Sequence, residues 1–207
     1  MIVYGIGILP LIRILKEIHI TCIQPWFADD AGAAGTFESI AMFFDDLLRI
    51  GPDFGYFPEP SKSIFIARPL EKLSAEIFFN TMRKHGFQIT TGHRYLGGFI
   101  GDQVSRDEWL SECLSDWESG VLDLTAVASN FPQTAYAGLQ KSLQHEWGFL
   151  QRVLPGIGDQ FKSIEESIRD FFVPALFGES TFNEDDYRRN LTALPVKFSD
   201  LSIPNPT

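Results

Sequence analysis

Phe27-Ala28-Asp29-Asp30 is the segment of this chain with the clearest chemical content. Its two adjacent carboxylates stand behind an apolar, β-rich run (residues 18–24) and ahead of five small residues, Ala31-Gly32-Ala33-Ala34-Gly35. Carboxylate oxygens are hard ligands suited to Mg²⁺ or Mn²⁺, and two such ions about 4 Å apart clamp the attacking and leaving oxygens in nucleotidyl transfer. Two like charges this close are tolerable when metal is bound between them. An Asp-Asp pair on its own is as readily a solvated turn, so the flanking elements decide its meaning.

Those elements read as follows. Residues 6–18 spell a buried helix. Residues 18–24, rich in β-branched side chains, read as a strand leading into Pro25-Trp26-Phe27. The small residues after Asp30 suit a turn and a short return strand where another group approaches the backbone closely. Thr36 caps a helix over 37–50, with Ile40, Phe43, Phe44, Leu47 and Leu48 on one face and Asp45, Asp46 and Arg49 on the other, stopped by Gly51-Pro52. A Gly/Pro/aromatic loop leads to Lys62 and a strand over 63–67, and a second amphipathic helix covers 70–85. Residues 87–90 and 95–100 then flank Thr91-Gly92-His93-Arg94 as a hairpin. The order is βαβαββ, which predicts an α+β unit with two helices covering one face of a mainly antiparallel sheet.

Past Gly101 the strand signals stop. Trp109, Leu110, Cys113, Leu114 and Trp117 mark one helical stripe; helices are expected over 133–153 and 160–172, the latter ending at Pro174, and a shorter one after Asn183. The domain boundary is therefore expected near Gly101, giving 1–101 and an all-helical 102–207. The charge of −10 is uneven: residues 1–100 carry 9 Lys/Arg against 10 Asp/Glu, whereas 101–207 carry 8 against 17. A duplex-binding surface should be basic, so the second half is a poor match for nucleic acid. Two distant cysteines make neither a disulfide framework nor a zinc motif, and point to a reducing, intracellular compartment, nuclear or cytoplasmic. The apolar N-terminal run, broken by Pro10 and followed by Arg13 and Lys16, is short of the roughly 20 residues a membrane span requires. The four histidines are scattered without metal-ligand spacing, and Glu184-Asp185-Asp186 reads as a helix start.

In their order these motifs resemble the reverse transcriptases of retroelements, most closely the non-LTR type. Gly7-Ile8-Leu9-Pro10-Leu11-Ile12 resembles the segment after that family's template-gripping helix. Phe27-Ala28-Asp29-Asp30 resembles its aromatic-x-Asp-Asp box, with Phe for the commoner Tyr. Gly55-Tyr56 through Pro60-Ser61-Lys62-Ser63 resembles the loop ending in a lysine before a strand, and Tyr95-Leu96-Gly97-Gly98 resembles the Leu-Gly element supporting the primer. The resemblance covers about the first half of the chain and implies the second half of a palm followed by a helical thumb or connection region.

The resemblance implies Asp29 as a metal ligand with Asp30 beside it, Lys62 near the triphosphate, and Phe27, Ala28, Leu96 and Gly97 as primer or nucleotide contacts. It implies Mg²⁺ or Mn²⁺, an RNA template, a DNA primer and dNTPs in the full-length parent. It also implies an earlier strand aspartate and fingers residues that do not precede Asp29 here, so the expected product is a truncated RNA-directed DNA polymerase, inactive alone, holding metal weakly if at all. An edge left by the missing strand invites self-association or the missing N-terminal part as partner. Two other readings stay open: a non-catalytic interaction or scaffold remnant, and a small metal-dependent phosphohydrolase using the same carboxylates.

Overall fold

The computed structural model describes residues 2–27, 30–67, 76–178, 186–198 and 201–207. The chain divides into two compact units, Met1–Thr90 and Thr91–Thr207. The division falls before the predicted Gly101 boundary because the hairpin ahead of Gly101 is built into the helical unit. The class is mostly helical α+β, with small two-stranded sheets.

In the first unit, α1 (Ile2–Ile18) buries one stripe, Ile8, Leu11 and Leu15, while Val3, Ile6 and Leu9 face outward. The expected buried helix is thus buried along one stripe only, with Arg13, Lys16 and Glu17 on its exposed side. The strand expected over 18–24 does not form as such. His19 N–H bonds Leu15 O, Cys22 N–H bonds His19 O, and the Gln24 side-chain amide donates to both Leu15 O (3.0 Å) and His19 O (3.3 Å). These bonds satisfy carbonyls left open at the end of α1, and that capping outweighs the β-propensity of the sequence. The ladder starts only at Ile23.

α2 (Phe37–Ile50) has the predicted bounds: Thr36 Oγ1 accepts from Ser39 N–H, and Phe43, Phe44 and Leu47 form the buried face. Phe43 and Leu47 meet Leu11, Leu15 and Cys22 in one apolar cluster. β3 (Ile64–Ile66) pairs in parallel with β4 (Gln88–Thr90), and α3 (Glu76–Lys84) lies between them in sequence. Phe65, Phe37 and Phe79 pack ring against ring with centroids 5.6–6.0 Å apart. Residues 70–75 of the predicted second helix lie outside the described residues.

The mainly antiparallel sheet with two covering helices is not what forms among the described residues. Among the described residues there are three two-stranded sheets, β1–β2 (Trp26–Phe27 with Asp30–Ala31), β3–β4, and β5–β6 (Gly92–Tyr95 with Gly98–Gly101). The expected hairpin of 87–90 with 95–100 is also redrawn. Residues 88–90 take β3 as partner, and the hairpin closes around Leu96-Gly97 instead, with φ of 47° and 81°. Positive φ at both central positions marks a type I′ turn, whose twist matches that of antiparallel strands. At the other end Gly101 has φ 148°, and a Cβ there would stand 2.2 Å from Gly92 Cα, so glycine is obligatory.

The second unit is built around α4 (Gln103–Ala128), N-capped by Asp102, which accepts from Ser105 N–H at 3.0 Å. α5 (Pro132–Gly138), a π turn (Leu139–Leu143) and α6 (Gln144–Val153) make one continuous helical run. A second run comprises α7 (Lys162–Ser167), a π turn (Ile168–Phe172) and α8 (Val173–Leu176). It passes through Pro174 rather than ending there, because a widened turn just before proline relieves the clash and the missing N–H that stop a regular helix. α9 (Asp186–Ala193) follows. Leu110, Val121, Leu139, Phe161, Ile164 and Phe172 are wholly buried among these helices, each such side chain contributing about 1.5–3 kcal/mol. Among the described residues no helix is long and apolar enough to cross a membrane.

Candidate functional site

The box carrying the carboxylates sits on a narrow antiparallel ladder. Ile23 and Ala34 exchange both backbone hydrogen bonds at 2.8 Å, Gly32 N–H bonds Pro25 O at 2.8 Å, and Trp26 pairs with Ala31 and Phe27 with Asp30. All pairings share one register, closing on Phe27 and Asp30, the first and last residues of the box. Ala28 and Asp29 lie outside the described residues. The return arm is made of small residues, as its sequence requires, and contributes no bulky side chain that would screen the ladder.

Trp26 turns inward, edge-on to Tyr56 at 5.6 Å, against the cluster of α1 and α2. Phe27 faces the other way and is 59% exposed, which removes a core role for it. Asp30 is exposed as well. Lys62 ends a 3₁₀ turn (Pro60–Lys62) one residue short of β3, with its side chain exposed and its N–H bonded to Glu59 O. Asp30 lies on β2 and Lys62 on the 3₁₀ turn ahead of β3, and the two share no hydrogen bond or ion pair.

Leu96 and Gly97 belong to the second unit, so the first-unit residues and this turn are separate bodies of the chain. Leu96 is half-exposed and holds a left-handed conformation that a Cβ disfavours. A Cβ on Gly97 would lie 2.9 Å from the Phe149 ring, so the turn is also pressed against α6.

Among the described residues no group of three or more His, Cys, Asp or Glu could hold a metal ion. A two-metal centre needs carboxylates converging from more than one element. Asp30 belongs to no such group among the described residues, and its neighbour Asp29 lies outside them.

Two polar clusters escaped the sequence reading. In the first unit, buried His19 bonds Asp46 through Nε2 at 3.0 Å and meets the Phe43 ring edge-on at 5.8 Å, tying the end of α1 to α2. Arg49 donates to the same carboxylate. The Arg49 hydrogen bonds, followed by the charges of Arg49 and the bond from His19, outweigh desolvation and hold the Asp46 carboxyl below its ordinary range. The Asp46/Arg49 half was visible as an i,i+3 pair; its link to His19 was not.

In the second unit, Arg189 and Glu165 form a buried bidentate pair, 2.8 and 2.6 Å. Nothing local in the sequence announces it, since α9 reads as a polar surface helix. Burial pushes both the Cys22 and Cys113 thiols up, the direction opposite to thiol activation.

Compared with protein-family models, curated proteins and solved structures, the chain matches none.

Proposed function

We propose that the chain is part of a retroelement reverse transcriptase of the non-LTR-like type, an RNA-directed DNA polymerase by descent. It would carry a portion of the palm and the helices of a thumb or connection region. The observation that supports this most is the ladder from Ile23 to Ala34, whose register closes on Phe27 and Asp30 with both side chains exposed. A narrow hairpin with a small-residue return arm brings an acidic box to a primer end without steric screening.

In this reading Asp29 is the leading ligand for Mg²⁺ or Mn²⁺ with Asp30 beside it, and binding is weak because further carboxylates are required. Lys62 answers triphosphate charge. Phe27, Ala28, Leu96 and Gly97 contact primer or nucleotide. RNA template, DNA primer and dNTPs are the partners of the complete enzyme, in an intracellular compartment.

The test is primer extension on an RNA template with Mg²⁺ or Mn²⁺, with this chain run beside a version extended upstream from the encoding locus. The expected result is extension by the longer protein alone, abolished by Asp29→Asn. A longer protein that folds, binds primer–template and extends equally well with Asp29→Asn and Asp30→Asn removes the assignment.

The helical unit supports a second reading as a protein-interaction scaffold, through its own large core and the 17 acids against 8 bases of residues 101–207. A gel shift of primer–template that persists at low salt and falls steeply with added salt would count against it.

A further inference from the structure

The C-terminal residues 201–207 form no regular element, yet they are held along their length. Tyr136 Oη donates to Leu201 O (2.7 Å), Arg189 Nη1 to Ile203 O (2.7 Å), Arg189 Nη2 to Pro204 O (3.2 Å), and Gln151 Nε2 to Pro206 O. The donors come from α5, α9 and α6. Two backbone bonds, Ser202 N–H to Leu194 O (3.0 Å) and Ile203 N–H to Thr192 O (2.8 Å), add to them. Ile203 is 1% exposed and Pro206 is buried.

Arg189 is arranged to read carbonyls. Its Nε and Nη2 donate to Glu165 and its Nη1 to Thr192 Oγ1 (3.2 Å), which fixes the plane of the guanidinium and turns one remaining N–H of each Nη toward the segment. All five donors are used. Burying such a pair adds little stability compared with apolar side chains of the same volume, but it does fix where the guanidinium points. At positions 204 and 206 the segment is proline, which presents a carbonyl and no N–H. There the groove supplies donors only, the complement of a proline-containing peptide.

We propose that Tyr136, Gln151 and Arg189, with the pocket that takes Ile203, form a peptide-binding groove filled in cis by residues 201–206. Its ligand in trans is a proline-containing segment with a branched aliphatic residue at the Ile203 position. A cavity of about 270 Å³ lined by Gln151, Leu154 and Ile157 extends the groove beside Pro206 and Thr207. The inference does not depend on the polymerase reading. A tethered occupant acts at an effective concentration in the mM range, so a free peptide enters only when the tail is released.

The experiment inserts a protease recognition sequence between residues 198 and 201 of the full chain, cuts it, and follows a labelled synthetic 201–207 peptide by fluorescence anisotropy, with circular dichroism on the same samples. The cut protein should bind the peptide saturably and the uncut protein at least tenfold more weakly. Ile203→Asp in the peptide should weaken binding roughly 10- to 100-fold, the equivalent of one buried aliphatic side chain. Three results would overturn the proposal: a folded cut protein that does not bind the peptide, equal binding of the two peptides, or a cut protein that unfolds and is not restored by excess peptide.

Discussion

Replacing Glu165 with Leu isolates a buried charge. In the native protein the Arg189 guanidinium, 4% exposed, gives two of its hydrogen bonds to the Glu165 carboxylate, itself 7% exposed, and the rest to Thr192 and the tail carbonyls. Glu165→Leu keeps an apolar filler in place but leaves the cation without its counter-charge, and loss of one member of a buried pair costs about 3–5 kcal/mol. Arg189→Met strands the carboxylate instead and also frees the carbonyls of Ile203 and Pro204, for a comparable loss. In the double variant no charge remains buried. Its loss should fall to about 1–2 kcal/mol, mostly the unmet tail carbonyls, leaving a coupling well above the roughly 0.5 kcal/mol scatter of independent sites.

With a urea slope of about 2 kcal/mol/M for a unit of this size, either single change lowers the midpoint by about 2 M and the double by less than about 1 M. Tryptophan emission suits the assay, because Trp109, Trp117 and Trp147 all lie in the helical unit and the latter two are buried in its core. Additive single effects, or a Glu165→Leu midpoint equal to the wild type, would refute the buried pair and with it the fixed orientation of Arg189.

Two further outcomes are expected. The Asp46 carboxyl is held below its unfolded value of about 3.9 by Arg49 and His19, so its contribution is complete above that value and is lost as pH falls through the folded pKa. Acid unfolding of the first unit, read from Trp26, should therefore flatten below about pH 4 in Asp46→Asn, and an unchanged acid profile would contradict the link between α1 and α2. Leu96→Asn should raise the thermal midpoint of the second unit, since Leu at φ 47° stores about 1 kcal/mol that asparagine largely relieves; calorimetry showing a lower midpoint would mean that the Leu96 side chain is needed for packing.

The sequence determined whatever is settled within a turn or two of chain. Thr36 and the Ile40/Phe43/Phe44/Leu47 stripe set α2 to the residue, because cap and periodicity are local properties. The helical runs of the second half follow from the same kind of signal, and the acidic box with its small return arm was legible for the same reason. Tertiary structure decided what depends on partners far along the chain. The end of α1 is where Gln24 reaches back to its carbonyls, and β4 joins β3 rather than the following residues. Arg189 meets a carboxylate 24 residues away, and Tyr136 a carbonyl 65 residues away. Such contacts carry no local pattern, since what selects them is the burial of several elements at once. The candidate site is divided in the same way: its residue types were written in the sequence, but packing decided that Phe27 and Asp30 stand on a ladder, Lys62 on a 3₁₀ turn, and Leu96 and Gly97 in a hairpin turn of the second unit.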